Sequence, residues 1–191
     1  MEALPAQLND ALPPGEKPWP AQGFWTYDDY LRLPDEEGMR YEVIGGALHL
    51  LEAPDFGHQL ALVHFASQLW SFVDELRLGV VLMAPFEVHF PGIAQPIQPD
   101  VLFIVSARLP KPTAKYYEGP PDLAAEVLSA STLRRDRLTK FDAYERAGVR
   151  EYWMLDPKTR SVEVYTLSGS EYALLGQWGV GESASGPKSL E

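Results

Sequence analysis

Glu126 lies within Asp122-Leu-Ala-Ala-Glu-Val-Leu-Ser129, a run otherwise apolar enough to form a core strand. A carboxylate buried without a partner costs several kcal/mol, so this position calls for a cation, a metal or a proton. Asp100 opens a second apolar run, Val101-Leu-Phe-Ile-Val105. If the two runs are neighbouring strands, their carboxylates meet in one cleft. Two hard oxygen donors placed that way suit Mg²⁺ or Mn²⁺, which bind carboxylates, waters and substrate phosphates. On the residues alone a plainer reading stays open: an aspartate at a strand start satisfies a turn, and a strand glutamate pairs with a nearby arginine.

Lys140 follows Asp136 by four residues on a helix expected from Ser131 or Thr132 to Ala147. As a surface ion pair that spacing is worth a few tenths of a kcal/mol. Lys140 also shares a face with Ala143, Tyr144 and Ala147, and small residues permit close approach to a sheet. A lysine reaching inward from that face could hold a water or offset developing phosphate charge. Glu42 reads either as an exposed hairpin glutamate or as an accessory ligand. His58, just before a long helix, either contacts a phosphate or binds backbone at the helix start. His49, His64 and His89 share no metal-ligand spacing and read as structural. No phosphate-binding glycine loop, dinucleotide fingerprint or nucleophile elbow is present.

Charge bears on the partner. The formal net charge of −11 opposes general nucleic-acid binding, which depends on neutralising phosphates with basic groups. The balance reverses locally, however. Between Ala130 and Lys140, Arg134, Arg135, Arg137 and Lys140 face Asp136 alone. Arg134 and Arg135 are therefore candidates for touching a nucleic-acid backbone, or else line a solvated helix face. With no cysteine, the chain has neither disulfides nor a thiolate metal site, which suits a cytoplasmic location. No apolar run approaches the ~20 residues of a membrane span, and no secretory signal is expected.

These residues need a frame. Its 191 residues suit one domain. Residues 24–182 are expected to form it, with proline-rich residues 1–23 and residues 183–191 as flexible tails. Thr26 and Asp29 resemble a capping box for a short helix ended by Pro34. Residues 40–52 read as a hairpin turning at Gly45-Gly46. Leu62, Phe65, Leu69, Phe72 and Leu76 recur at helical steps. Val80–Phe90 reads as a strand broken or bulged near Pro85, followed by strands at 100–105 and 123–128. Beyond the 131–147 helix, closed by Gly148, come strands at 151–155, 161–167 and 172–175. The order αββαβββαβββ predicts an α/β fold, a mixed sheet flanked by helices.

Several stretches together resemble the Uma family of restriction endonucleases, within the PD-(D/E)XK nuclease superfamily. They are Tyr27-Asp-Asp-Tyr-Leu31, Arg40-Tyr-Glu-Val-Ile-Gly-Gly46, Gln98-Pro-Asp-Val-Leu-Phe103, Pro121-Asp-Leu-Ala-Ala-Glu-Val-Leu-Ser-Ala-Ser-Thr132, Arg135-Asp136 through Lys140, and Ala147-Gly-Val-Arg-Glu-Tyr-Trp-Met-Leu-Asp-Pro157. The resemblance runs in order from about Tyr27 to Tyr172.

It implies a restriction-endonuclease-like core in which Pro99-Asp100 supplies the first acid and Glu126 the second. The usual lysine, two residues after the second acid, would fall at Leu128; Lys140 is the matching displaced position. The implied activity is Mg²⁺- or Mn²⁺-dependent cleavage of DNA, with the Val127 carbonyl as a further ligand and Glu42 as an accessory group. A homodimer is expected, because cutting both strands of a duplex commonly needs two sites and isologous pairs are the commonest oligomers. The alternative is a catalytically inactive nuclease-fold protein that binds or assembles. A metal-free hydrolase using Asp100 and Glu126 as an acid/base pair is a third reading.

Overall fold

Strand alternation explains how the chain divides its interior. The structure is a computed structural model of the 191-residue chain, described here for residues 8, 17–34, 39–51 and 53–182. A short helix α1 (Tyr27–Tyr30) precedes the hairpin β1 (Arg40–Ile44) and β2 (Ala47–Leu51). The long helix α2 (Phe56–Glu75) leads to β3 (Gly79–Met83), β4 (Glu87–Phe90), β5 (Ala94–Ile97) and β6 (Val101–Val105). After β7 (Tyr116–Glu118) and β8 (Leu123–Val127) come a π-helical segment, Arg135–Lys140, and α3 (Phe141–Ala147). The meander β9 (Glu151–Asp156), β10 (Ser161–Ser168) and β11 (Glu171–Trp178) completes the described chain.

The strands form two sheets rather than the one expected. One has the order β2-β1-β5-β4-β7, the other β11-β10-β9-β8-β6-β3. Both are mixed, since β4 runs parallel to β7 and β8 parallel to β9 while the other pairs are antiparallel. Of the break or bulge expected near Pro85, the structure shows the break: Val80–Phe90 is two strands in different sheets. The chain changes sheets at Ala84-Pro85, where proline removes a ladder donor. Neither β5, which contains Pro96, nor the three-residue β7 was expected.

Other expectations hold. Thr26 and Asp29 make the reciprocal capping box of α1, and Gly148 ends α3 in the left-handed region at φ 86°. Gly45 and Gly46 turn the hairpin with φ of 58° and 73°. A Cβ at Gly46 would also lie 2.5 Å from the Gly23 carbonyl. Of the expected N-terminal tail, residues 17–23 are docked: Trp19 stacks on Trp25, and Gln22 brackets the backbone of Leu48 with two hydrogen bonds. Most of residues 1–16, and all of 183–191, lie outside the described residues.

The six-stranded sheet has a core on each face. Leu123, Ala125 and Val127 of β8 pack with Leu62, Ala66, Leu69 and Val73 of α2. The alternate residues Ala124 and Leu128 join Ala143 and Tyr144 of α3 and Val88, Phe90 and Ile97 of the other sheet. Period two therefore aims Glu126 at the α3 side. On β1, Tyr41 and Val43 pack beneath Trp25, while Ile44 points to the inter-sheet core, and Glu42 shares that second face.

Candidate active site

β6 and β8 are antiparallel neighbours with Val101 opposite Ala125, so Asp100 and Glu126 sit one step beyond, at the same end of the pair. Both line a cleft of about 290 Å³, together with His58, Gln98, Val127, Arg135, Asp136 and Lys140. Asp100 is held by two groups. Its Oδ2 accepts the Val127 N–H at 2.8 Å and lies 3.2 Å from His58 Nε2. Oδ1 has no hydrogen bond among the described residues.

Lys140 is only 2% exposed, and its Nζ reaches three oxygens. It lies 2.8 Å from Glu126 Oε1, 3.0 Å from Glu42 Oε1 and 3.3 Å from the Gln98 carbonyl. Tyr144 donates its hydroxyl to the same Glu126 Oε1 at 2.7 Å. Both donors fix one oxygen of Glu126, which leaves Oε2 without a hydrogen bond among the described residues. Glu42 is fully buried and also accepts the Gln98 N–H at 2.7 Å, so it locks Lys140 to the β5–β6 junction.

The geometry thus gathers Asp100, Glu126, Lys140, Glu42 and His58. His58 Nε2 faces Asp100 rather than backbone; its own N–H is capped by Asp55. Arg135 lines the cleft, whereas Arg134 is exposed and does not. His89 is buried, stacked on Tyr116 and bonded to Glu87, away from the cleft. His49 is half-buried and His64 exposed, and neither lines it.

Three site residues were not singled out from sequence. Asp136, weighed as a surface partner of Lys140, is buried and lines the cleft. Gln98 and Tyr144 hold Lys140 and Glu126 as just described. The signal for Asp136 was its i, i+4 spacing: if Lys140 turns inward, so does its neighbour one turn back. The π-helical segment carrying both has no counterpart in local sequence, although π turns concentrate at functional sites.

Charge is concentrated around the cleft. Asp55, Asp100, Glu126 and Asp136 line it with the permanent cations Arg40, Arg135 and Lys140, and the buried Glu42 pairs with Lys140. Burial pushes the Glu126 carboxyl well above its usual range; Lys140 opposes this, while Asp100, Asp136 and Glu42 add to it. Burial likewise outweighs Lys140 at Asp136, which is also raised. At Asp100 burial is overcome by the His58 hydrogen bond and the Lys140 charge, and the net shift is downward. His58 is depressed by burial but raised more by Asp100, for a net upward shift. Glu42 Oε2, Asp136 Oδ1 and Arg135 Nε are buried without hydrogen bonds, and the arginine lies 4.0 and 3.9 Å from the two carboxylates.

No group of three or more His, Cys, Asp or Glu among the described residues forms a ready metal cage. Mg²⁺ commonly binds through one or two carboxylates, with waters and substrate oxygens filling the octahedron. Asp100 Oδ1 and Glu126 Oε2 accept no hydrogen bond among the described residues, and both residues line the cleft.

Comparison with known proteins accords with this architecture. The family model Uma2, described as "Putative restriction endonuclease", matches residues 27–191. A crystal structure titled as a "putative nuclease belonging to DUF820 from Anabaena variabilis" aligns with a TM-score of 0.66 at 22% identity, covering 78% of this chain and 83% of that one. That likeness establishes a restriction-endonuclease-like fold, mixed sheets flanked by helices. No curated protein matches the chain. The family match spans most of the chain, which therefore belongs to the Uma2 family.

Proposed function

We propose that this member of the Uma2 family is a metal-dependent endodeoxyribonuclease, hydrolysing DNA phosphodiester bonds in the Asp100–Glu126 cleft. One observation carries the reading: a buried lysine from the helix occupies the carboxylate cleft at 2.8 Å from Glu126. The chain thereby supplies the lysine that Leu128 does not. A divalent cation held by these carboxylates would offset their repulsion of an entering phosphate.

Asp100, Glu126 and the Val127 carbonyl would hold Mg²⁺ or Mn²⁺. When bound, such an ion lowers the pKa of a coordinated water and stabilises charge on the scissile phosphate. The remaining work falls to side chains. The Val127 N–H and His58 orient Asp100, while Tyr144 and Lys140 orient Glu126 and reserve its second oxygen for the cleft. Lys140, whose three N–H groups already face Glu126, Glu42 and the Gln98 carbonyl, offsets charge developing on the phosphate. Glu42 is a positioning residue that acts through Lys140. Arg135 and His58 at the cleft wall, with Arg134 farther out, would contact the DNA backbone. No helix of the described residues is long and apolar enough to cross a membrane, and the absence of cysteine fits a cytoplasmic setting.

Nicking of supercoiled plasmid tests the reading. Nicking is expected with Mg²⁺ or Mn²⁺, and loss on adding EDTA or in Glu126→Gln. Equal activity in EDTA, or in the variant, would overturn it. The alternative of an inactive nuclease fold draws on Leu128, buried where a strand lysine would stand. It predicts neither cleavage nor divalent-ion binding by calorimetry.

A further inference from the structure

Two arginines line the cleft without a hydrogen bond among the described residues: Arg40, which opens β1, and Arg135, which opens the π-helical segment. Most other charges there are engaged. Asp55 caps the His58 N–H at 2.8 Å, and Asp100, Glu126 and Lys140 hold the partners given above. Four carboxylates, Asp55, Asp100, Glu126 and Asp136, line the same space. Arg40 nevertheless makes no ion pair among the described residues. Arg135 approaches carboxylates only at 3.9 and 4.0 Å.

Strand alternation brings Arg40 into the cleft. The inner face of β1 reads Ile44, Glu42, Arg40, with about 6.6 Å between successive members. Ile44 packs in the inter-sheet core and Glu42 binds Lys140. Arg40 comes next, where the core gives way to open space, with Leu51 opposite it on β2. Arg135 reaches the same region from the segment after β8. Its Nε is buried between Glu42 Oε2 and Asp136 Oδ1. Only that nitrogen is both buried and unbonded, so the two terminal nitrogens open on the cleft.

Such an arrangement is costly until an anion completes it. A guanidinium keeps its charge at every accessible pH, and one that has lost most of its water needs acceptors. The Arg135 side chain is only 17% exposed. Two planar forks around one opening match the oxygens of a phosphate, which arginine binds through paired hydrogen bonds. The position is also distinct from the acids of the nuclease reading. From Glu126, Arg135 is reached through Lys140 and Glu42, by contacts of 2.8, 3.0 and 4.0 Å.

We propose that Arg40 and Arg135 form a second phosphate subsite, which takes a phosphate of the substrate strand other than the one cleaved. That the phosphate belongs to a DNA strand rests on the nuclease reading; the anion site itself does not. The ligand is either a neighbouring diester or a terminal monoester at the 5′ end of the strand. Both present the same oxygens to the two forks.

Crystals of the full chain soaked in tungstate, with Mg²⁺ present, test the site apart from cleavage. An anomalous peak is expected within hydrogen-bond distance of both guanidiniums, and its loss in Arg40→Gln. No peak there, or an unchanged peak in the variant, would overturn the proposal. Cleavage kinetics on a single-stranded oligonucleotide then separate the two sources. Arg40→Gln should raise KM about tenfold, more than it lowers kcat, through loss of a charge-assisted hydrogen bond. Arg40→Lys should recover only part, since it keeps the charge without the fork. Arg150→Gln, at an exposed position before β9 and at the end of that strand away from Val127, should leave KM unchanged. For a terminal phosphate, adding a 5′-phosphate lowers KM in the wild type and not in Arg40→Gln. For a diester it changes nothing, and Arg40→Gln weakens both oligonucleotides alike. Equal KM in Arg40→Gln and Arg150→Gln would overturn the proposal. A chain that binds tungstate at the arginines but cuts nothing would overturn the nuclease reading alone.

Discussion

Arg137 and Lys140 stand three residues apart on the same π-helical segment, and the fold gives their charges opposite settings. Arg137 reaches outward and grips Glu163 of β10 with two parallel hydrogen bonds of 3.0 and 2.6 Å, where water still reaches both side chains. Lys140 turns inward, where burial would disfavour its charge. Glu126, Glu42 and Asp136 more than compensate, and its pKa rises above the ordinary lysine value. The outer pair is bound to one carboxylate and screened by solvent. The inner lysine holds together three elements, β1, β8 and the β5–β6 junction, in a medium that screens little. Near-identical local sequence therefore yields a surface clamp in one case and the centre of a site in the other.

Removing the inner charge is the severest test of that contrast. Lys140→Met leaves Glu42 and Glu126 buried without their cation, and should lower unfolding stability by about 3–5 kcal/mol in urea titrations. A loss well under 1 kcal/mol would mean that the carboxylates are held by protons instead. Tyr144→Phe removes one hydrogen bond to the buried Glu126 and is expected to cost about 1.5–3 kcal/mol. Adding 1 M salt should change neither figure much.

The outer pair should respond weakly and differently. A double-mutant cycle of Arg137→Met with Glu163→Gln should give a coupling of at most ~1 kcal/mol at neutral pH, weakened by salt. The Arg137 hydrogen bond holds the Glu163 carboxyl below its usual range. The coupling is therefore fully present above the unfolded-state glutamate value of about 4.3. It should vanish as pH falls through the lower folded-state value. A coupling that survives at pH 2, or that matches the inner cluster in size, would erase the distinction.

What could be read from the sequence follows the same division. Glu126 was conspicuous because five apolar neighbours surround it in the chain, and Asp100 because it opens the adjoining run. The inward turn of Lys140 followed from Ala143, Tyr144 and Ala147 on its face. Asp136 was harder to place, since a charged residue beside arginines resembles solvated helix, and only tertiary packing buries it. Period two on β1 hides in a hairpin whose other face is also buried, so Glu42 could be weighed but not placed. A break near Pro85 could be read from the proline, but the passage of Val80–Phe90 from one sheet to the other could not, for a related reason. A strand that changes sheet keeps its apolar pattern, and only its partners differ.

The central claim is that Asp100 and Glu126 hold a divalent cation between them, with Lys140 beside it. Crystals soaked in Mn²⁺ and measured at the manganese absorption edge test it most directly. The account predicts an anomalous peak within coordination distance of both carboxylates, with the Lys140 ammonium still bonded to Glu126. An empty cleft at saturating Mn²⁺, or a peak away from Asp100 and Glu126, would contradict it.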